Sequence, residues 1–134
     1  MENSPVAIDG FLRLHGAFAG RVLSEAFQEQ ITLCVSEIIG CNYCLAAHTE
    51  IGKKVGFSEE ETISSRKAKS TSSKTQAGLE FFRQIISNQS WISDHDYNAV
   101  KQAGSSSEEV IGIIALVENT YSPTTSTISQ KLQL

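Results

Sequence analysis

Apolar residues recur along this chain at steps of three and four, the rhythm of helices with one buried face. The clearest stripe is Phe27, Ile31, Cys34, Val35 and Ile38, preceded by Ser24 as a predicted N-cap with Glu25 in the first turn and ending near Gly40. Before it, Phe11, Leu14, His15 and Phe18 mark a shorter helix within residues 6–20, weakened by Gly16 and Gly20. After it, Cys44, His48, Ile51 and Val55 step by four, three and four, which predicts a helix to about Val55, stopped by Gly56. Ser58 with Glu61 three positions on reads as a capping box for a short helix to about Lys67.

The second half repeats the pattern. A stretch rich in Ser, Thr and Lys over 64–75 predicts a solvated crossing. From Lys74 a helix carries Leu79, Phe82, Ile85 and Ile86, broken between Asn88 and Trp91. Ser93 caps a helix over Asp94–Gln102, which Gly104 ends. Ser107 with Glu108 and Glu109 opens the next, where Val110, Ile113, Ile114 and Val117 follow i, i+3, i+4, i+7. Pro123 interrupts it, and a weak helix or a frayed tail is expected through Leu132. No stretch alternates long enough to predict a strand. The expectation is all-α: one domain over 1–134, with about six or seven helices.

Composition narrows the function classes. The chain has 134 residues, 40% hydrophobic, the size of one domain with one core. Its 11 basic and 15 acidic residues give a net charge of −4 and no basic stripe, which argues against nucleic acid as a partner. No apolar run approaches the roughly 18 residues of a membrane helix. Met1-Glu2-Asn3-Ser4-Pro5 lacks the basic-then-apolar order of a signal peptide. Three cysteines, an odd number, fit poorly with a secreted disulfide scaffold, so a cytoplasmic protein is expected.

The densest chemistry is Cys41-Asn42-Tyr43-Cys44, with His48 four positions later. At a helix N-terminus, free N–H groups and the dipole favour a thiolate, the reactive form of cysteine. The spacing lets one thiol attack and the other resolve the product as a disulfide. His48 lies one turn from Cys44 on the same face and is placed to take its proton. If the flanking helices form an antiparallel hairpin bending near residue 39, Glu29 and His48 are level, at about 1.5 Å per residue. That predicts a Glu29–His48–Cys44 relay. Glu37, four residues before Cys41, is a second candidate for contact with the turn.

Plainer readings stand beside these. The CxxC has the ligand types for half a zinc site, but beyond it the chain offers only Cys34 and scattered histidines as ligands. A structural disulfide over so short a loop removes little unfolded-state entropy. Cys34 reads as a small core hydrophobe. His15 and His95 have no partner at motif spacing. Tyr43, a candidate supporting residue at the site, and Trp91 could line a pocket, though core or interface aromatics are commoner, and Arg66 and Lys67 read as cations at a helix C-terminus. The dipole favours Cys41 as the more acidic thiol, whereas the histidine favours Cys44.

Glu29, the run Leu33–Thr49 and Gly56-Phe57-Ser58 resemble the alkylhydroperoxidase D-like group of the carboxymuconolactone decarboxylase superfamily. Its signature places a glutamate twelve residues before a CxxC and a histidine four after it, as Glu29 and His48 stand here. Later stretches, Ser93-Asp94-His95-Asp96, Gln102-Ala103-Gly104 and Glu118-Asn119-Thr120, are consistent with it. The resemblance implies an all-helical fold assembling into trimers or hexamers, with sites near subunit contacts. It implies a thiol peroxidase or disulfide reductase in which Cys44 attacks peroxide, Cys41 resolves, and Glu29 and His48 relay the proton. The best-studied relatives have a histidine between the cysteines where this chain has Tyr43.

The expected function is a thiol-dependent hydroperoxidase regenerated by a dithiol reductant or redox protein, with no metal or flavin cofactor. The alternatives are a disulfide reductase that does not meet peroxide, and a non-enzymatic oligomeric scaffold with a structural disulfide or metal clip. The ring-cleavage-pathway decarboxylase chemistry of the wider superfamily does not call for a CxxC. A homo-oligomer is also expected from the many apolar residues, among them Phe81, Phe82, Trp91 and the 111–117 run.

Overall fold

The computed structural model describes residues 5–18 and 22–121. These form seven helices and no strand: α1 Pro5–Phe18, α2 Glu25–Ile38, α3 Asn42–Lys54, α4 Glu59–Arg66, α5 Ser73–Ser87, α6 Asp94–Gln102 and α7 Ser107–Tyr121. The all-α expectation holds for them. The helix expected beyond Pro123, the residues Met1–Ser4 and the side chains of Phe11 and Phe18 lie outside the described part. No helix in it is long and apolar enough to cross a membrane.

Helix starts follow cap chemistry. Ser24 accepts from the N–H of Phe27 at 3.2 Å, and Ser58 and Glu61 close a reciprocal box at 3.1 and 2.9 Å. α5 starts at Ser73, one residue earlier than predicted, and α7 starts at Ser107 as predicted but with the serine before it as cap. Ser72 caps α5 through the Thr75 N–H. Ser106, rather than Ser107, forms a box with Glu109 at 3.0 and 2.7 Å. In the run Ser105-Ser106-Ser107, only the middle serine stands three residues before Glu109, which decides between them.

α2 is the central element and packs against α3, α4, α5 and α7. Its buried residues Ile31, Leu33, Cys34 and Val35 join Leu79, Phe82, Ile85, Val110 and Ile113 in the core. Burial of these side chains stabilises the fold by about 1.5–3 kcal/mol for each large apolar group. Close helix approach depends on Gly78: a Cβ there would stand 2.6 Å from the Phe27 ring.

Burial departs from the stripe pattern in places. Ile38, expected on the core stripe, ends α2 where the chain turns away and is 46% exposed. Ile114 is exposed because the buried face of α7 centres on Ile113, Leu116 and Val117, leaving position 114 at its flank. The crossing over 64–75 is not wholly solvated, since Ser65 and Ala68 are buried beneath it. Phe81 and Phe82 belong to this chain's own core and are not available to a partner. Trp91 and Ile111 are exposed, as are Val6 and Leu12 of α1.

Candidate active site

The bend between α2 and α3 builds the site. Gly40 takes φ +66°, a left-handed conformation that costs glycine little. The Gly40 N–H bonds to the Glu37 carbonyl at 3.1 Å and the Cys41 N–H to the Ser36 carbonyl at 3.0 Å, so the turn satisfies two of the last-turn carbonyls of α2. The chain reverses in a few residues and places Cys41 at the N-cap of α3.

Cys41 and Cys44 are joined as a disulfide, with Cα atoms 5.3 Å apart. The Cys44 N–H donates to Cys41 Sγ at 3.2 Å, so this sulfur does the work that Ser or Asp does at other N-caps. Both cysteines are half-buried. A reduced Cys41 would keep that donor and lie at the positive end of the α3 dipole.

Across the hairpin, Nδ1 of His48 lies 2.7 Å from Oε2 of Glu29, at side-chain exposures of 27% and 16%. The carboxylate accepts, so Nδ1 carries the hydrogen and Nε2 is left to exchange a proton. The geometry agrees with the level count, the two residues being 19 positions apart along the chain. Glu29, His48, Cys41 and Cys44 thus belong to one hairpin. Tyr43 projects from its first turn and is 66% exposed.

Glu37 does not turn toward the thiols. Its Oε2 accepts from Nε of Arg66 at 2.7 Å, tying the end of α2 to the end of α4. At 44% and 39% exposure the pair contributes little to stability. In the sequence Arg66 reads only as a helix-end cation, because a partner 29 positions away carries no local signal. Cys34 is buried, and burial first of all raises its thiol from 9.0 to about 11, against the lowering effect of the Arg83 charge. His15 and His95 stand outside the hairpin: His15 Nδ1 lies 3.2 Å from Asn119 Nδ2, and His95 is near Asp96. No group of three or more His, Cys, Asp or Glu residues suited to a metal occurs among the described residues.

The sequence model of the carboxymuconolactone decarboxylase family matches residues 8–72, the span that holds α2, the bend and α3. No curated protein matches the chain. The crystal structure of an uncharacterized peroxidase-related protein from Silicibacter sp. TM1040 is similar, with a TM-score of 0.80 and 18% identity, over 92% of this chain and 69% of that one. That likeness is one of fold. Over residues 8–72 the chain is thus similar to the carboxymuconolactone decarboxylase family, in the segment that carries Glu29, the CxxC and His48.

Proposed function

We propose that the protein is a thiol-dependent hydroperoxidase. The observation that carries this reading is the Glu29–His48 contact of 2.7 Å in the hairpin that holds the Cys41–Cys44 disulfide. In the reduced protein, His48 Nε2 takes the proton of the Cys44 thiol, and Glu29 stabilises the imidazolium. The Cys44 thiolate attacks the O–O bond of a hydroperoxide. One oxygen stays on sulfur as a sulfenic acid, and the other leaves as an alcohol with the proton from His48. Cys41 attacks the sulfenic sulfur, water leaves, and the disulfide forms. An external dithiol supplies two electrons and two protons to reopen it.

The test is to mix reduced protein with cumene hydroperoxide and follow peroxide loss with thiol count. One disulfide formed per peroxide consumed supports the reading, and Cys44→Ser should abolish turnover. Full activity in Cys44→Ser, or no thiol loss, overturns it.

The capped position of Cys41 also favours a second reading, disulfide reductase. A sulfur that accepts a backbone N–H makes a good leaving group in thiol–disulfide exchange. Turnover of a model disulfide far above that of peroxides would select it.

Around this chemistry we place one domain over the chain, a reducing intracellular compartment, and assembly into a homo-oligomer. Val6 at 81%, Leu12 at 59% and Ile111 at 66% exposure support the assembly, since α1 packs on α7 and these side chains face outward. Light scattering at micromolar concentration tests it, and a mass of one chain overturns it.

A further inference from the structure

The charges of this chain are unevenly placed. Over the whole sequence 15 acidic residues outnumber 11 basic ones. At the redox end of the α2–α3 hairpin the balance reverses. α3 has no acidic residue between Asn42 and Thr49, so the positive end of its dipole is uncompensated at Cys41. Its first acid, Glu50, is bound to Lys53 at 2.6 Å.

α4 brings cations to the same end. Arg66 bonds to Glu37, four residues before Cys41, and so holds the last turn of α4 beside the redox turn. Lys67 is the C-cap of that helix and Lys69 follows it. Both lysines are exposed, and neither makes an ion pair among the described residues. Glu37 is neutralised by Arg66, so the two lysines are the local surplus. Glu59, Glu60 and Glu61 stand in the first turn of α4, at its other end. Asp94 and Asp96 belong to α6, which packs on α5 and α7. Apolar side chains complete the rim: Ile38 at 46% and Tyr43 at 66% exposure flank the turn on its α2 and α3 sides.

We propose that the Cys41–Cys44 disulfide is reduced by a protein dithiol bordered by carboxylates, which dock on Lys67 and Lys69 while Ile38 and Tyr43 meet apolar surface. This rests on the reading of Cys41 and Cys44 as a redox-active pair. A thiolate of the reductant attacks one sulfur of the disulfide, the S–S bond breaks, and a mixed disulfide forms as one thiolate of this chain is released. The second thiol of the reductant then attacks the mixed disulfide. Two electrons and two protons pass to Cys41 and Cys44, and the reductant leaves as a disulfide. The attraction acts before contact, because the screening length is about 30 Å at about 0.01 M salt.

Three synthetic peptides are the probes: Cys-Gly-Pro-Cys flanked on each side by two glutamates, two glutamines or two lysines. The oxidised full chain is mixed with each reduced peptide at about 0.01 M salt, quenched with iodoacetamide and weighed by mass spectrometry for opened disulfide. Each rate is taken relative to that of Lys67→Gln/Lys69→Gln, so that the peptide's own thiol reactivity cancels. The glutamate peptide should react about tenfold faster with wild type than with the double variant, and the lysine peptide more slowly with wild type. Salt at about 0.5 M should erase both differences. Tyr43→Ser, which removes apolar contact and no charge, should slow all three peptides by a common factor. A wild-type-to-variant ratio independent of peptide charge, a ratio that survives high salt, or full rates in Tyr43→Ser overturns the proposal. No peroxide enters this assay. A protein that ranks the peptides but does not consume cumene hydroperoxide sinks the hydroperoxidase reading alone, and one that consumes it without ranking them sinks this proposal alone.

Discussion

Glu29 holds His48 by Nδ1, at 2.7 Å across the α2–α3 hairpin, and so leaves Nε2 as the ring nitrogen open to proton exchange. A carboxylate in that place sets the tautomer and stabilises the charged ring. Glu29→Gln keeps the size and removes the charge. Peroxide-dependent turnover should fall by about 10- to 100-fold, and in His48→Ala by about 10²- to 10⁴-fold. Disulfide formation by a strong thiol oxidant, which needs no positioned base, should survive in both. Equal loss with both oxidants would mean that the pair only holds the hairpin together.

Cys41 is both a redox sulfur and the N-cap of α3, and these roles separate by substitution. Cys41→Ser and Cys41→Ala each remove the disulfide. Serine keeps an acceptor for the Cys44 N–H, and alanine leaves that donor without one. Against reduced wild type, Cys41→Ala should lose about 1 kcal/mol in urea unfolding and Cys41→Ser a few tenths. Equal stability of the two variants would show that the cap bond contributes nothing once the disulfide is open.

Cys34 makes stability depend on alkaline pH. Its thiol is raised from 9.0 to about 11, mainly by burial. Below the unfolded value both states hold the proton, so stability is full there. Above it the unfolded chain ionises while the folded one does not, so stability falls with rising pH until the folded group also titrates. The loss should accumulate between about pH 9 and 11 and approach about 3 kcal/mol. Lysines and tyrosines titrate in the same window, so the measurement is the difference in slope between wild type and Cys34→Ala. Identical slopes would place ionised Cys34 in water.

The parts of this architecture legible in the sequence are those coded locally. The CxxC, His48 and the Ser58–Glu61 box are spacings of three and four, and Ser24 and Ser93 stand at the helix starts that their side chains cap. Glu29 needed one further step, the assumption of a hairpin, and its contact with His48 fits that step. Glu37 went the other way: proximity along the chain suggested the redox turn, whereas α4 packs beside α2 and offers Arg66. Exposure was least legible. Ile38 and Ile114 are apolar and on stripe, yet a helix end and a stripe flank leave them outside the core.

Gly78 offers the sharpest test of how α2 and α5 meet. A Cβ at 78 would come within 2.6 Å of Cζ of Phe27, closer than carbon atoms approach, and the ring edges lie at 3.3 and 3.4 Å. Alanine in an open helix position would stabilise by about 0.5–1 kcal/mol, so any loss must come from this collision. Gly78 and Leu79 are both buried, which leaves α5 little room to retreat. Gly78→Ala should therefore cost about 1–3 kcal/mol, the range of overpacked cores. Phe27→Leu alone should also destabilise, by leaving part of its space empty. Joined with Gly78→Ala it should recover more than a kcal/mol of the summed losses, because the shorter side chain clears the new methyl. A double-mutant cycle by urea unfolding measures that coupling. Strict additivity would mean that the two residues do not touch, contrary to the packing of α2 on α5.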